Sequence, residues 1–168
     1  SKLFFFNNFL KYLGVFANYT YTFSEAYISH RYPANYSDAL VVFGDDDLGV
    51  FFDENGEKEK ITLPGQAKHT ANLALFYETK KFYAKITANY HDAFLHELGA
   101  DSDLDEYYDE AWHFDFTTNY SITKHLNVFV DVINLTNVPL KFYLGTPDKM
   151  LQQEYYSWWG RVGLKLNF

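Results

Sequence analysis

The sequence has 168 residues and no cysteine, and 17 Phe, 15 Tyr and 3 Trp make it 21% aromatic. Lack of thiols excludes disulfide scaffolds, thiolate zinc sites, iron–sulfur clusters and cysteine nucleophiles, and 14 basic against 22 acidic residues argue against a nucleic-acid partner. The length suits one domain, and no apolar run approaches the roughly 18–20 residues of a membrane-spanning helix.

In chain order, no signal peptide opens the sequence, so an exported protein is expected here in mature or partial form. Phe4, Phe5 and Phe6 read as the end of an earlier strand, with a tight link at Asn7–Asn8. From Leu13 to Phe23 the chain alternates, with Leu13, Val15, Ala17, Tyr19, Tyr21 and Phe23 on one face. Period two over that length predicts a β-strand. The same pattern recurs in Ala71–Tyr77, Phe82–Tyr90, Trp112–Tyr120, Leu126–Val132 and Tyr156–Phe168. The opposite faces carry Lys85, His91, His113, Asp115, Asp131, Arg161 and Lys165 among others, and no segment reads as a helix.

The connections alternate in length. Tight links are expected at Glu78–Lys81 and Ser121–His125, and long ones at about Ser24–Gln66, His96–Ala111 and Asn137–Glu154. In an antiparallel meander, all short turns then fall at one end and all long loops at the other, as in outer-membrane barrels. Within the first long loop, Leu40–Phe43 and Val50–Phe52 flank a Gly/Asp-rich turn and predict a small hairpin above the sheet.

The apolar faces end in rings. Tyr19, Tyr21, Phe23, Tyr90, Trp112, Phe114, Tyr156 and Trp158 fall towards the long loops, and Tyr77, Phe82, Tyr120 and Phe168 towards the short turns. Small or aliphatic residues such as Leu73, Leu75, Ile86, Val130 and Leu164 lie between. Amphipathic rings prefer the two headgroup levels and aliphatics the hydrocarbon, so the pattern predicts a lipid-facing band between two girdles. The fold expected is all-β, an antiparallel transmembrane β-barrel segment. A soluble sandwich or lipocalin-like barrel also alternates, but explains neither the paired girdles nor the one-sided loops.

The last strand, EYYSWWGRVGLKLNF (154–168), ends in an aromatic with Leu166, Leu164 and Val162 two, four and six positions before it. This looks like the closing-strand signal that the outer-membrane assembly machinery recognises. GVFANYTYTFSEAY (14–27), LPGQAKHTANLALFYE (63–78), VFVDVINLTNVPL (128–140) and LKFYLGTPD (140–148) resemble the last strands of TonB-dependent outer-membrane receptors. The resemblance implies that residues 1–168 are the C-terminal part of a 22-stranded barrel plugged by a globular domain outside this chain. It implies a bacterial outer-membrane importer of a scarce nutrient, an iron–siderophore complex or else a carbohydrate or other organic nutrient. Energy would come through the TonB complex, engaged by a missing N-terminal part. Six strands and a piece of a seventh leave two open edges, whose unpaired backbone groups in hydrocarbon cost on the order of tens of kcal/mol. The rest of the barrel is therefore expected to supply partner strands. The alternative is a small self-contained outer-membrane barrel with a surface-binding or structural role.

Candidate site residues follow from the faces. Lys85, Asp115, Asp131, Arg161 and Lys165 predict a polar network in the lumen. Tyr32, Tyr36, His91, His113, Tyr143 and Tyr155, near the outer end, are the expected ligand contacts, since such groups stack on or hydrogen-bond a bulky ligand. His91, His113 and His96 could together bind a metal. Asp101, Asp103 and Asp105 have calcium-loop spacing, yet Glu106 replaces the needed Gly and Trp112 the bidentate Glu. Sixteen of the 22 acids fall in the first two long loops, which reads as solvated surface or as a vestibule attracting cations. No nucleophile–base spacing or paired carboxylate stands out, so neither catalysis nor a resident cofactor is expected.

Overall fold

The computed structural model describes residues 9–31 and 58–167. Features expected at Phe4–Phe6, Asn7–Asn8, Leu40–Phe43, Val50–Phe52, Tyr32, Tyr36 and Phe168 lie outside the described residues. In chain order the strands are β1 (Leu13–Tyr21), β2 (Ala26–Ser29), β3 (Lys58–Ile61), β4 (His69–Glu78), β5 (Phe82–His91) and β6 (Phe94–Glu97). They continue with β7 (Glu106–Tyr108), β8 (Ala111–Ser121), β9 (Leu126–Ile133), β10 (Leu140–Leu144), β11 (Met150–Glu154) and β12 (Trp159–Leu166).

The six long alternating segments form one antiparallel sheet in the order β1-β4-β5-β8-β9-β12. The chain is all-β, as the periodicity predicts. The meander puts the β4–β5 and β8–β9 turns at one end, joined by a Ser121 N–H donated to Lys81 O at 2.7 Å. The three long connections leave from the other end. Two further sheets form there, β11-β10-β7-β6 and the hairpin β2-β3.

Register keeps each face chemically uniform across the strands. On the apolar face, Tyr77, Ala84, Thr118, Val130 and Val162 form one cross-strand row, and Leu75, Ile86, Phe116, Val132 and Gly160 the next. On the other face Phe76, Lys85, Thr117, Asp131 and Arg161 share a row. Aromatic contacts gather at both ends of the apolar face. Tyr77 meets Phe9 at 4.8 Å, Tyr12 at 5.9 Å and Phe82 at 6.3 Å near the short turns. Near the long loops Tyr90 meets Trp112 at 4.7 Å, Trp112 meets Phe114 at 6.3 Å, and Tyr19 Oη lies 2.6 Å from His69 Nδ1.

Nothing among the described residues covers this apolar face. Val15 is 65% exposed, Leu73 49% and Val162 73%. Each strand packs on its hydrogen-bonded neighbours rather than on a second sheet. A sandwich would bury that side against another sheet. The outer edges of β1 and β12 have no paired strand among the described residues, so the sheet is open.

Two strand ends differ from expectation. β1 stops at Tyr21, although Thr22 N–H still donates to Lys68 O at 2.9 Å. β12 begins at Trp159 because Ser157, at φ 65°, takes the left-handed conformation and breaks the alternation after Tyr156. The Trp158 ring nevertheless returns to the apolar side, against the position a side chain on Gly160 would take.

Both edge strands carry a glycine facing a ring on the polar face: Gly14 opposite Phe76, and Gly163 opposite Phe129. A Cβ on Gly14 would lie 2.2 Å from the Phe76 ring, and one on Gly163 2.4 Å from the Phe129 ring. The rings fold over the glycines, covering backbone and pinning register. Gly163→Ala is expected to destabilise the folded protein by about 1–3 kcal/mol in urea unfolding. Adding Phe129→Ala should remove most of that extra cost; fully additive losses would contradict the ring-over-glycine contact.

Candidate functional site

Above the polar face, side chains of the long loops make a continuous aromatic surface. The register Phe142–Tyr108–Phe94 puts three rings on one row of the upper sheet. Tyr108 lies 5.1 Å from Phe142 and 5.3 Å from Phe94. His91, at the top of β5, stacks on Tyr108 at 5.0 Å and 19°, and lies 6.3 Å from His113 on β8. His96 meets Phe142 at 5.1 Å, with Nε2 3.8 Å from Glu106 Oε1. Each ring pair in such a surface contributes roughly 0.5–1.5 kcal/mol beyond area burial. Burial pushes the Tyr108 hydroxyl up from its ordinary value, so it stays a neutral hydrogen-bonding group.

Of the expected ligand contacts, His91 and His113 belong to this surface. Tyr143 does not: it pairs with Tyr107 on the opposite row, stacked at 5.3 Å and 7°, and is buried. Tyr155 is exposed between β11 and β12, its hydroxyl accepting from Gln153 Nε2 at 2.7 Å. Phe94, Tyr108 and Phe142 were not anticipated; the short aromatic runs FLH, EYY and KFYL were their only trace in the sequence. The imidazoles stack rather than converge on a point, and His91 Nδ1 is 3.0 Å from Asp92 O. Among the described residues no three His, Asp or Glu side chains gather to hold a metal ion.

The calcium-loop acids are divided among three tasks. Asp101 Oδ1 accepts from Asp103 N at 2.9 Å and caps a single 3-10 turn. Asp103 is exposed, 3.6 Å from Lys149 Nζ. Asp105 is buried against Arg31, receiving Nη1 at 2.5 Å and Nη2 at 2.9 Å, and accepts from Gly99 N at 2.9 Å.

Arg31 is the tie between loops. Its Nε and Nη2 donate to Glu59 at 3.0 and 2.6 Å, and Nη1 also donates to Gly99 O at 2.9 Å. The guanidinium thereby joins the β2-β3 hairpin to the turn between β6 and β7. Hydrogen bonds to Asp105 and then Glu59 hold the Arg31 pKa above its ordinary value, and Arg31 in turn holds the Glu59 carboxyl low.

Arg161 Nε donates to Asp131 Oδ2 at 2.7 Å, with Lys85 in the same row. Asp115 instead caps the connection after β9, accepting from Asn134 N at 3.0 Å. Lys165 pairs in register with Asn127 and is exposed.

No family model, curated protein or solved structure matches the chain.

Arg31→Met would leave Asp105 buried without its cation, which costs about 3–5 kcal/mol. Faster proteolysis between Gly99 and Leu104 is the expected readout, and unchanged cleavage would contradict the tie. A carboxyl held low contributes stability above its ordinary pKa of about 4.3 and loses it as pH falls through the folded value. Protection by Glu59 should therefore be complete at pH 7 and fade below roughly pH 4; Glu59→Gln should flatten that part of the pH profile.

Proposed function

We propose that the chain is part of the wall of a bacterial outer-membrane barrel, and within that class of a TonB-dependent receptor that imports a scarce nutrient. The observation carrying this reading is the uncovered apolar sheet face, with rings gathered at both of its ends and long loops at one end only. Apolar surface on this scale needs a cover, and hydrocarbon between two headgroup levels matches the ring–aliphatic–ring order. No helix among the described residues is long and apolar enough to cross a membrane, so in this reading crossing falls to strands.

In this reading the polar face lines a lumen that holds the plug, where Lys85, Asp131 and Arg161 are tolerated, and the open edges of β1 and β12 join strands supplied by the rest of the barrel. The surface made by His91, His113, Phe94, Tyr108, Phe142 and His96 faces the incoming ligand from the extracellular side. Rings with a few polar tips suit an organic ligand of some bulk; an iron–siderophore complex is the first choice, and a carbohydrate or other organic nutrient the second. Transport is driven through the TonB complex. The β2-β3 hairpin pairs with itself and adds no strands to the main sheet, which favours the larger barrel over a small self-contained one.

Leu73→Arg is expected to cost about 2–4 kcal/mol of stability in lipid vesicles, as a charge near mid-depth on the lipid face does. Asp131→Leu should cost less; equal harm from both would argue against the assignment of faces. Growth of a deletion strain across defined iron and carbon sources tests import, and unimpaired growth on all of them would contradict it.

A further inference from the structure

Charge is divided between the two ends of the chain's long hairpins. Among the described residues, the long connections carry 12 acids against six bases, and the main sheet with its short turns three acids against seven bases. Residues 32–57 add seven acids and no base to the first connection. Of the six bases, Arg31, Lys60, Lys141 and Lys149 already hold carboxylates. The connections that bear the aromatic surface are therefore strongly negative, and their field favours cations over anions.

Acids also enter the surface itself. Partners across an antiparallel ladder point to the same side, so Gln152 of β11 extends the row Phe94–Tyr108–Phe142 to four side chains. Glu154 pairs with Leu140 and Glu106 with Leu144, and both leucines lie two residues from Phe142, on its side. Glu154 accepts from Gln152 Nε2 at 2.6 Å and from the Tyr156 hydroxyl, and Glu106 is half-buried beside His96. Lys141 falls on the reverse side, 3.9 Å from Asp109. On the polar face below, Lys85 lies six residues from His91 along β5, roughly 20 Å away. Among the described residues, no lysine or arginine joins the row's side of the upper sheet.

Ring geometry narrows the ligand further. Tyr108 is tilted 57° against Phe94 and 50° against Phe142, so one planar ligand cannot lie flat on all three. His91 takes one face of Tyr108, and the half-buried Phe94 and Phe142 flank it. A compact cation accepts ring faces from several directions, each worth a factor of about two to five at an exposed site.

We infer that this row binds a positively charged part of its ligand, an alkylammonium group. Phe94 and Phe142 supply ring faces, and Glu106 and Glu154 the opposing charge. The inference rests on the importer reading given above and narrows its ligand. An iron chelate with a free ammonium and a metal-free organic cation share that chemistry, whereas an anionic chelate meets repulsion.

The test is isothermal titration calorimetry of the intact, full-length protein in detergent at neutral pH, with two matched probe pairs. One pair is benzyltrimethylammonium against benzyl alcohol. The other is a ferric trihydroxamate with a free terminal ammonium against the same chelate acetylated there. Roughly ten-fold tighter binding of the charged member is expected in at least one pair, shrinking in about 1 M salt. A preference confined to the chelates supports the inference with an iron complex as cargo, and one confined to the benzyl pair supports it with a metal-free cation. Phe94→Leu with Phe142→Leu should lower the preference roughly five-fold, as should Glu106→Gln with Glu154→Gln. Asp103→Asn, at an exposed acid beside Lys149, should leave it within about two-fold. If unheated gel mobility shows that the leucine pair does not fold, Phe142→Leu alone should give a roughly two-fold loss. Equal affinity within both pairs, tighter binding of the acetylated chelate, or no binding of any probe would overturn the inference. So would an unchanged preference in the folded leucine and glutamine variants. Import is tested separately by the deletion strain, so a protein that prefers ammonium yet imports nothing sinks the importer reading alone.

Discussion

An antiparallel sheet with one uncharged, largely apolar face must cover that face. Each Leu, Val or Ile left in water forgoes about 1.5–3 kcal/mol relative to burial, and here Val15, Leu73, Leu75, Ile86, Val162, Leu164 and Leu166 are all exposed on one side. Neither a helix layer nor a second sheet covers them among the described residues. The remaining architecture is consistent with hydrocarbon as the cover. Rings with hydrogen-bonding tips lie where headgroups would be, charged pairs lie on the reverse side, and loops with side-chain networks extend from one end only.

That asymmetry separates two kinds of stability. In the main sheet, order comes from the backbone ladder and cross-strand rows, with glycine–ring pairs fixing register at both edges. In the loops, short strands of three to five residues cannot stand alone. They are held by β10 bridging β7 and β11, by the aromatic stack around Tyr108, and by the buried Arg31 guanidinium shared between two loops. The aromatic surface on these loops is positioned by these contacts, and an ion pair that depends on Glu59 makes the positioning sensitive to acid.

The main sheet was legible because its signal is long. Strands of 8 to 11 residues repeat the alternation often enough for faces, turns and order to be read directly. β6, β7, β10 and β11 were not, since strands of three to five residues show too few alternations and their pairing is non-local. The same limit hid Phe94, Tyr108 and Phe142, whose row exists only after two separate loops pair. Parity along a strand correctly put His91 and His113 on one face, but could not extend across a loop to Tyr143, which the pairing turns to the other side. Spacing likewise grouped Asp101, Asp103 and Asp105, while a distant arginine, Arg31, decided what Asp105 does. Left-handed Ser157 ended an alternation that composition alone would have continued.

Absence of native cysteine allows the central claim to be tested without background labelling. Single cysteines at Leu75, Ile86 and Leu164, and at Lys85, Asp115 and Thr117 on the reverse face, can each carry a nitroxide in the protein embedded in lipid vesicles. Power-saturation measurements with oxygen and with a water-soluble nickel chelate then report each label's surroundings. The account predicts that the first three labels are relaxed by oxygen and shielded from nickel, while the second three show the reverse preference. Nickel access at Leu75 and Ile86 together with oxygen access at Asp115 would contradict it.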